Sequence, residues 1–215
     1  MHHELCYVAI GDSLTVGVGA PMNRGFASRY HRLLEQSLDK HIHFINAGVS
    51  GATSQDVLEL ITLDSSMQEE LKEADIITIT VGGNDLLRAA EVYFTDQEIK
   101  HMINALKNFK HNMREIITTI KELKNDELDD CMIHMTNLYN PKPQMLDAQF
   151  VVNRFNNMIQ RFNKGNIRVA NAYQAYIGYE EQYLFSDQVH PNSKGYEVLA
   201  DSFHHLGYEP LKRKM

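Results

Sequence analysis

Four short stretches of this 215-residue chain carry side chains that could act together: Ser13 in Gly11-Asp12-Ser13, Gly48 in Asn46-Ala47-Gly48, Asn84 in Gly82-Gly83-Asn84-Asp85, and Asp187 with His190 in Asp187-Gln188-Val189-His190-Pro191-Asn192. A serine hydroxyl is a weak nucleophile until a neighbouring base takes its proton. A carboxylate three residues before a histidine can be turned onto the imidazole Nδ1, which fixes the tautomer and leaves Nε2 to serve as that base. Acyl transfer also builds negative charge on a carbonyl oxygen, and hydrogen-bond donors must hold it. The Ser13 N–H, the Gly48 N–H and the Asn84 side-chain amide are the candidates for that task. The chemistry expected from the set is hydrolysis of an acyl ester by Ser13, Asp187 and His190, with an oxyanion hole built from Ser13, Gly48 and Asn84.

Each residue also has a plainer explanation. Serine is a preferred helix cap, glycines supply turns at positive φ, asparagine at a strand end favours an Asx turn, and Pro191 with Asn192 suits a turn into a helix. The case for chemistry rests on all four stretches reaching one place, which is a question about the elements that carry them.

Five β-rich runs alternate with amphipathic stretches: Leu5 to Gly11, His41 to Asn46, Asp75 to Val81, Cys131 to Leu138 and Ile167 to Ala170. From Asp96 to Leu123 the apolar residues Ile99, Met102, Ile103, Leu106, Phe109, Met113, Ile116, Ile117 and Ile120 recur at spacings of three and four, which predicts a helix with one buried face. Further helices are expected over Gln149 to Phe162 and Ser193 to Leu206. Strand–helix alternation implies right-handed crossovers and a parallel sheet covered on both faces. The near-continuous apolar run Ile76-Ile77-Thr78-Ile79-Thr80-Val81 suits a strand buried on both sides. Ligands of such sheets bind beyond the carboxyl ends of the strands. The first three strands run directly into the Ser13, Gly48 and Asn84 turns, so these converge on one rim.

The blocks resemble those of a known family. Ile10-Gly11-Asp12-Ser13-Leu14 is similar to the GDSL block, Asn46-Ala47-Gly48-Val49-Ser50-Gly51 to the glycine block, Gly82-Gly83-Asn84-Asp85 to the GxND block and Asp187-Gln188-Val189-His190-Pro191 to the DxxHP block of the SGNH/GDSL hydrolases. The resemblance implies an α/β, flavodoxin-like, doubly wound three-layer fold with a five-stranded parallel sheet in the order 2-1-3-4-5. It assigns Ser13, Asp187 and His190 to the triad and Ser13, Gly48 and Asn84 to the oxyanion hole. In that order the third strand separates those bearing Cys6 and Cys131 by about 9 to 10 Å, beyond disulfide reach. The neighbourhood of Ser13 does not match the G-x-S-x-G elbow of α/β-hydrolases.

Length and composition set the remaining expectations. The chain suits a single domain over residues 1–215, and 43% hydrophobic with 23% charged residues is ordinary for a globular protein. A net charge of -7 argues against gripping nucleic acid, and the basic run Lys212-Arg213-Lys214 reads as a solvated surface. No cofactor motif is present, and the histidines outside the DxxHP block, among them His2, His3, His41, His101 and His134, lack metal-ligand spacing. No cofactor and no metal are therefore expected. No apolar run reaches the length of a transmembrane helix, and no signal peptide is evident, so the expected location is the cytoplasm, or outside the cell by a non-classical route. The expected partner is a small-molecule or lipid acyl ester. A carbohydrate deacetylase or thioesterase using the same triad is the alternative, and a flavodoxin-like binding module without chemistry is a rival of another class. The apolar stretch Leu86-Leu87, Ala89-Ala90 and Val92-Tyr93-Phe94 either packs a helix onto the core or lines an acyl groove. The motifs specify neither chain length nor oligomeric state.

Overall fold

Strands whose alternate residues face opposite sides, both of them buried in Leu5–Gly11, Ile76–Thr80 and Met132–Thr136, form the sheet at the centre of the molecule. The structure is a computed structural model that describes residues 4–125 and 131–212. His2, His3 and the basic run beyond Lys212 lie outside the described residues. In chain order the elements are β1 (Leu5–Gly11), α1 (Ser13–Val16), α2 (Phe26–Leu38), β2 (Ile42–Gly48), α3 (Ser54–Leu63), α4 (Ser65–Glu73), β3 (Ile76–Thr80) and α5 (Gly83–Asp96). They continue with α6 (Lys100–Leu123), β4 (Met132–Thr136), α7 (Leu146–Ile159), β5 (Ile167–Ala170), α8 (Ala172–Tyr176), α9 (Glu180–Tyr183), α10 (Ser193–His204) and α11 (Glu209–Lys212).

The five strands pair in parallel in the order β2-β1-β3-β4-β5. Val8, Ile10, Ile77, Ile79, Ile133, Met135 and Val169 point to one face, where Val57, Ile61, Leu71, Phe109, Ile116 and Phe155 of α3, α4, α6 and α7 cover them. Tyr7, Ala9, Ile76, Met132 and Ala170 point to the other, under Phe26, Tyr30, Leu34, Tyr176, Tyr196, Phe203 and Leu211 of α2, α8, α10 and α11. Two apolar faces buried under two helical layers make the three-layer, doubly wound arrangement expected from the alternation of elements. Cys6 and Cys131 are both buried. No helix among the described residues is long and apolar enough to cross a membrane.

The strands begin and end within two residues of expectation. One helix differs more: the stretch expected to start at Asp96 is the end of α5, and α6 starts only at Lys100. Gln97 adopts a left-handed conformation, φ 58°, and Asp96 Oδ1 accepts the Glu98 N–H at 2.9 Å. This turn breaks the helix although the apolar spacing continues through it. The seventh helix starts at Leu146 rather than Gln149, and its last turn, Gln160–Phe162, is 3-10.

Candidate active site

Ser13 lies two residues beyond the end of β1 and opens α1. Asp12, not Ser13, is the N-cap of that helix: its carboxylate accepts the Leu14 N–H at 3.0 Å. The Ser13 hydroxyl is therefore spared from capping and lies 2.9 Å from His190 Nε2. The Ser13 N–H belongs to the first helical turn, whose amides have no intrahelical acceptor. Asp12 is itself buried and held by Thr80, which donates through Oγ1 to Asp12 Oδ1 at 2.9 Å. Burial pushes the Asp12 carboxyl up to about 6, against the opposing pull of the Leu14 amide, the Thr80 hydroxyl and His190.

The histidine arrives from the far end of the chain. Asp187 Oδ1 accepts the N–H groups of Val189 and His190, both at 2.9 Å, and Oδ2 lies 2.7 Å from His190 Nδ1. Burial raises the Asp187 pKa, but these hydrogen bonds, led by the one from the His190 ring, outweigh it and hold the carboxyl below its ordinary value. An ionised carboxylate can only accept, so Nδ1 carries the ring hydrogen and, in the neutral imidazole, Nε2 is left as an acceptor for the Ser13 O–H. The loop is pinned on both sides. The Tyr139 hydroxyl donates to the Val189 carbonyl at 2.6 Å, and Asn192 caps α10 by accepting the N–H groups of Lys194 and Gly195. The turn-and-cap explanation of this stretch is thus also true: Asp187 Oδ1 holds the turn and Asn192 the cap, while Asp187 Oδ2 is left for the His190 ring.

Asn84 lies in the first turn of α5 and lines the cavity at Ser13, with one amide hydrogen donated to the Ala52 carbonyl at 2.9 Å. Its turn is anchored by a buried network that the sequence reading missed. Asp85 accepts from both the N–H and the hydroxyl of Ser54, and Asn112 donates to that hydroxyl at 3.0 Å. The only sequence signal for it was the acidic residue closing the Asn84 block.

Gly48 sits at the end of β2 beside β1, paired with Gly11 in the sheet. Its N–H donates to Asn46 Oδ1 at 3.0 Å, and it does not line the cavity at Ser13. It is also not at positive φ. A Cβ there would come within 2.7 Å of the Val16 nitrogen and 2.8 Å of Thr15 Cγ2, so glycine is required by the close passage of α1 rather than by a turn. Gly82, by contrast, does have φ 110°.

The cavity at Ser13, about 130 Å³, has Asn84, Leu86 and Leu87 on one side and Tyr139, Val189 and His190 on the other. A second, mostly apolar cavity of about 220 Å³ continues from it along α5 and α7 and shares Leu86, Leu87, Pro141 and Val152 with it. Among the described residues, one group brings three potential metal-ligand side chains within 4.8 Å, Asp96, Glu98 and His101 at the α5–α6 turn. It is largely exposed and not at the Ser13 cavity. Its members pair with one another and with Lys100.

The chain is similar to known proteins over nearly its whole length. The chain is 34% identical to the spore germination lipase LipC of Bacillus licheniformis over 210 residues, 97% of this chain and 99% of the relative. A crystal structure of a lipase from a goat rumen metagenome superposes with a TM-score of 0.91 at 34% identity, covering 95% of this chain and 98% of that one. An acetylxylan esterase from Geobacillus stearothermophilus shares the fold, with a TM-score of 0.71 at 18% identity and 98% of both chains covered. Residues 9–198 match the GDSL-like lipase/acylhydrolase family, a span that takes in every residue of the site, and the chain belongs to that family of carboxylic ester hydrolases.

Proposed function

We propose that Ser13 is the nucleophile of this ester hydrolase, His190 its base and acid, and Asp187 the group that orients the histidine and stabilises its charged form. The observation that carries this reading is the unbroken series Asp187 Oδ2 to His190 Nδ1 at 2.7 Å and His190 Nε2 to Ser13 Oγ at 2.9 Å. Ser13 Oγ attacks the acyl carbon while its proton passes to Nε2, and the imidazolium so formed faces the Asp187 carboxylate. The Ser13 N–H and the second amide hydrogen of Asn84, which both border the cavity, hold the developing oxyanion. The carbon–oxygen bond to the alcohol then breaks as His190 returns the proton to the leaving oxygen. Water repeats the sequence on the acyl-enzyme and releases the acid.

We further propose a lipid-like acyl group. Leu87 and Phe94 are 45% and 59% exposed, so they do not pack a helix onto the core, whereas Ala89 of the same stretch is buried. Both line the apolar cavity that continues from Ser13, a wall suited to methylene groups. An acetyl group would leave that wall unused, which favours longer-chain esters over the deacetylase alternative. The name of the relative LipC points the same way.

The test is hydrolysis of p-nitrophenyl esters from acetate to palmitate by the wild type and by Ser13→Ala, with folding checked by circular dichroism. The expected result is a loss of at least about 10⁴-fold in kcat in the folded variant, and a wild-type optimum beyond acetate. Equal rates in the two proteins would remove Ser13 as nucleophile.

A further inference from the structure

The apolar cavity accounts for the acyl half of an ester but not for the alcohol. The alcohol oxygen receives its proton from His190, so it must lie on the side of the Asp187–His190 loop. On that side a wide polar cleft of about 850 Å³ opens between the residues after β4 and the segment around α9. Pro141 borders this cleft, the Ser13 cavity and the apolar cavity alike, so the three meet at one residue. Lys142, Tyr179, Glu180, Glu181, Gln182 and Gln188 line the cleft.

Resting on the proposed roles of Ser13 and His190, we propose that this cleft binds a polyhydroxylated, uncharged alcohol, a glycerol or glycosyl group, as the leaving-group half of the substrate. Three observations lead to this chemistry. First, Tyr179 is 51% exposed yet held in place: it stacks on Tyr183 at 5.4 Å, Tyr183 meets Tyr176 edge-on at 5.6 Å, and Tyr176 stacks on Tyr139, a wall of the Ser13 cavity, at 4.6 Å. A fixed, half-open aromatic face is a platform for the C–H face of a polyol. Second, two carboxylates and three amides, those of Gln144, Gln182 and Gln188, accompany a single ammonium, Lys142, whose Nζ already donates to Gln188 Oε1 at 2.9 Å. Such a set offers both donors and acceptors to hydroxyl groups, and its excess of carboxylates disfavours a phosphate headgroup. Third, Gln188 lies inside the Asp187–His190 loop at φ 58°, a conformation uncommon for a residue with a long side chain. It sits two residues from the group that protonates the leaving oxygen.

The experiment compares kcat/KM for four substrates with the same lauroyl chain below their aggregation limits: 1-monolauroylglycerol, sucrose monolaurate, lauroyl-lysophosphatidylglycerol and ethyl laurate. The proteins are the wild type, Tyr179→Ala and Lys142→Met. The wild type should favour at least one polyol ester over ethyl laurate by about tenfold or more, and each variant should lower that ratio severalfold, chiefly through KM. The glycerol and sucrose arms separate the two sources of the polyol. A wild-type ratio near one, or a ratio that neither variant changes, overturns the cleft assignment. So does a preference for lauroyl-lysophosphatidylglycerol over both polyol esters that Lys142→Met abolishes, because an anionic headgroup would then be the ligand. A wild type that hydrolyses none of these esters, nor p-nitrophenyl laurate, overturns instead the Ser13 reading beneath it.

Discussion

Asp12 has two duties, capping α1 and standing buried beside Ser13, and they have a measurable consequence. Its carboxyl is raised from 3.8 to about 6 by burial, so between these values the folded protein keeps a proton that the unfolded chain has lost. Stability contributed by that proton is fully present below 3.8, falls as pH rises through the window, and is gone above about 6; its full size is about 3 kcal/mol. His134 has the opposite sign. Burial, and secondarily Arg168, pushes it down to about 3, so it costs stability as pH falls below 6.5. Asp12→Asn can still accept the Leu14 and Thr80 hydrogen bonds but cannot ionise. Urea unfolding of both proteins from pH 4 to 8 should therefore show the variant gaining on the wild type by up to about 3 kcal/mol as pH rises, because the His134 contribution cancels in the difference. A gap independent of pH would mean that Asp12 does not titrate in this window. At this scale the plainer local explanations of two residues do not match the structure. Ser13 looked like a cap because serine often is one, yet the cap is its neighbour. Gly48 looked like a positive-φ turn, yet its need for glycine comes from α1 crossing the end of β2, a contact between parts of the chain that no local pattern encodes.

The helix α5 divides its apolar residues between two uses, and this division explains where sequence reading succeeded and failed at the level of elements. Ala89 faces the core, while Leu87, Tyr93 and Phe94 face the cavity leading to Ser13. A continuous apolar stretch cannot reveal that split, because a groove and a core ask for the same residue types. The same ambiguity hid the break between α5 and α6, where Ile99 and Met102 keep the helical spacing but line the cavity. The strands were easier to place, because runs buried on both faces have no such second reading. A direct consequence concerns chain length. Leu87→Trp should fill the passage between the two cavities and lower kcat/KM for p-nitrophenyl palmitate by about 10-fold or more relative to the butyrate. Phe94→Ala, at the far end, should move the optimum towards longer chains. A chain-length profile unchanged in both folded variants would return this stretch to a purely structural role.

Across the whole molecule, the sheet order does the work of bringing residue 13 to residue 190. β1 lies at the centre of one half of the sheet and presents Ser13 at its carboxyl end, while α10 begins three residues after His190 and packs back over α2. Two links fasten that return: Arg29 donates to the Ser193 hydroxyl at 2.8 Å, and the Tyr196 hydroxyl donates to the Val18 carbonyl at 2.7 Å. The alternation of strands and helices made the layers legible in the sequence, and the resemblance of the blocks supplied the order. The packing of α10 was not legible, because it depends on rings from distant segments, Phe203 against Phe26 at 4.9 Å and against Tyr30 at 5.6 Å. Phe203 is fully buried, and truncating such a ring typically costs about 3–5 kcal/mol. For a chain of this size Phe203→Ala should lower the thermal midpoint by roughly 6–20 °C. Phe203 is on the third turn of α10, whereas the His190 loop is held separately by Tyr139, Asn192 and Asp187. At 20 °C the folded variant should therefore keep kcat within about threefold of wild type, with its activity lost on heating in step with its circular dichroism. A fall of about 100-fold in kcat at a temperature where the variant is folded would instead mean that the seating of α10 on α2 sets the distance between His190 and Ser13.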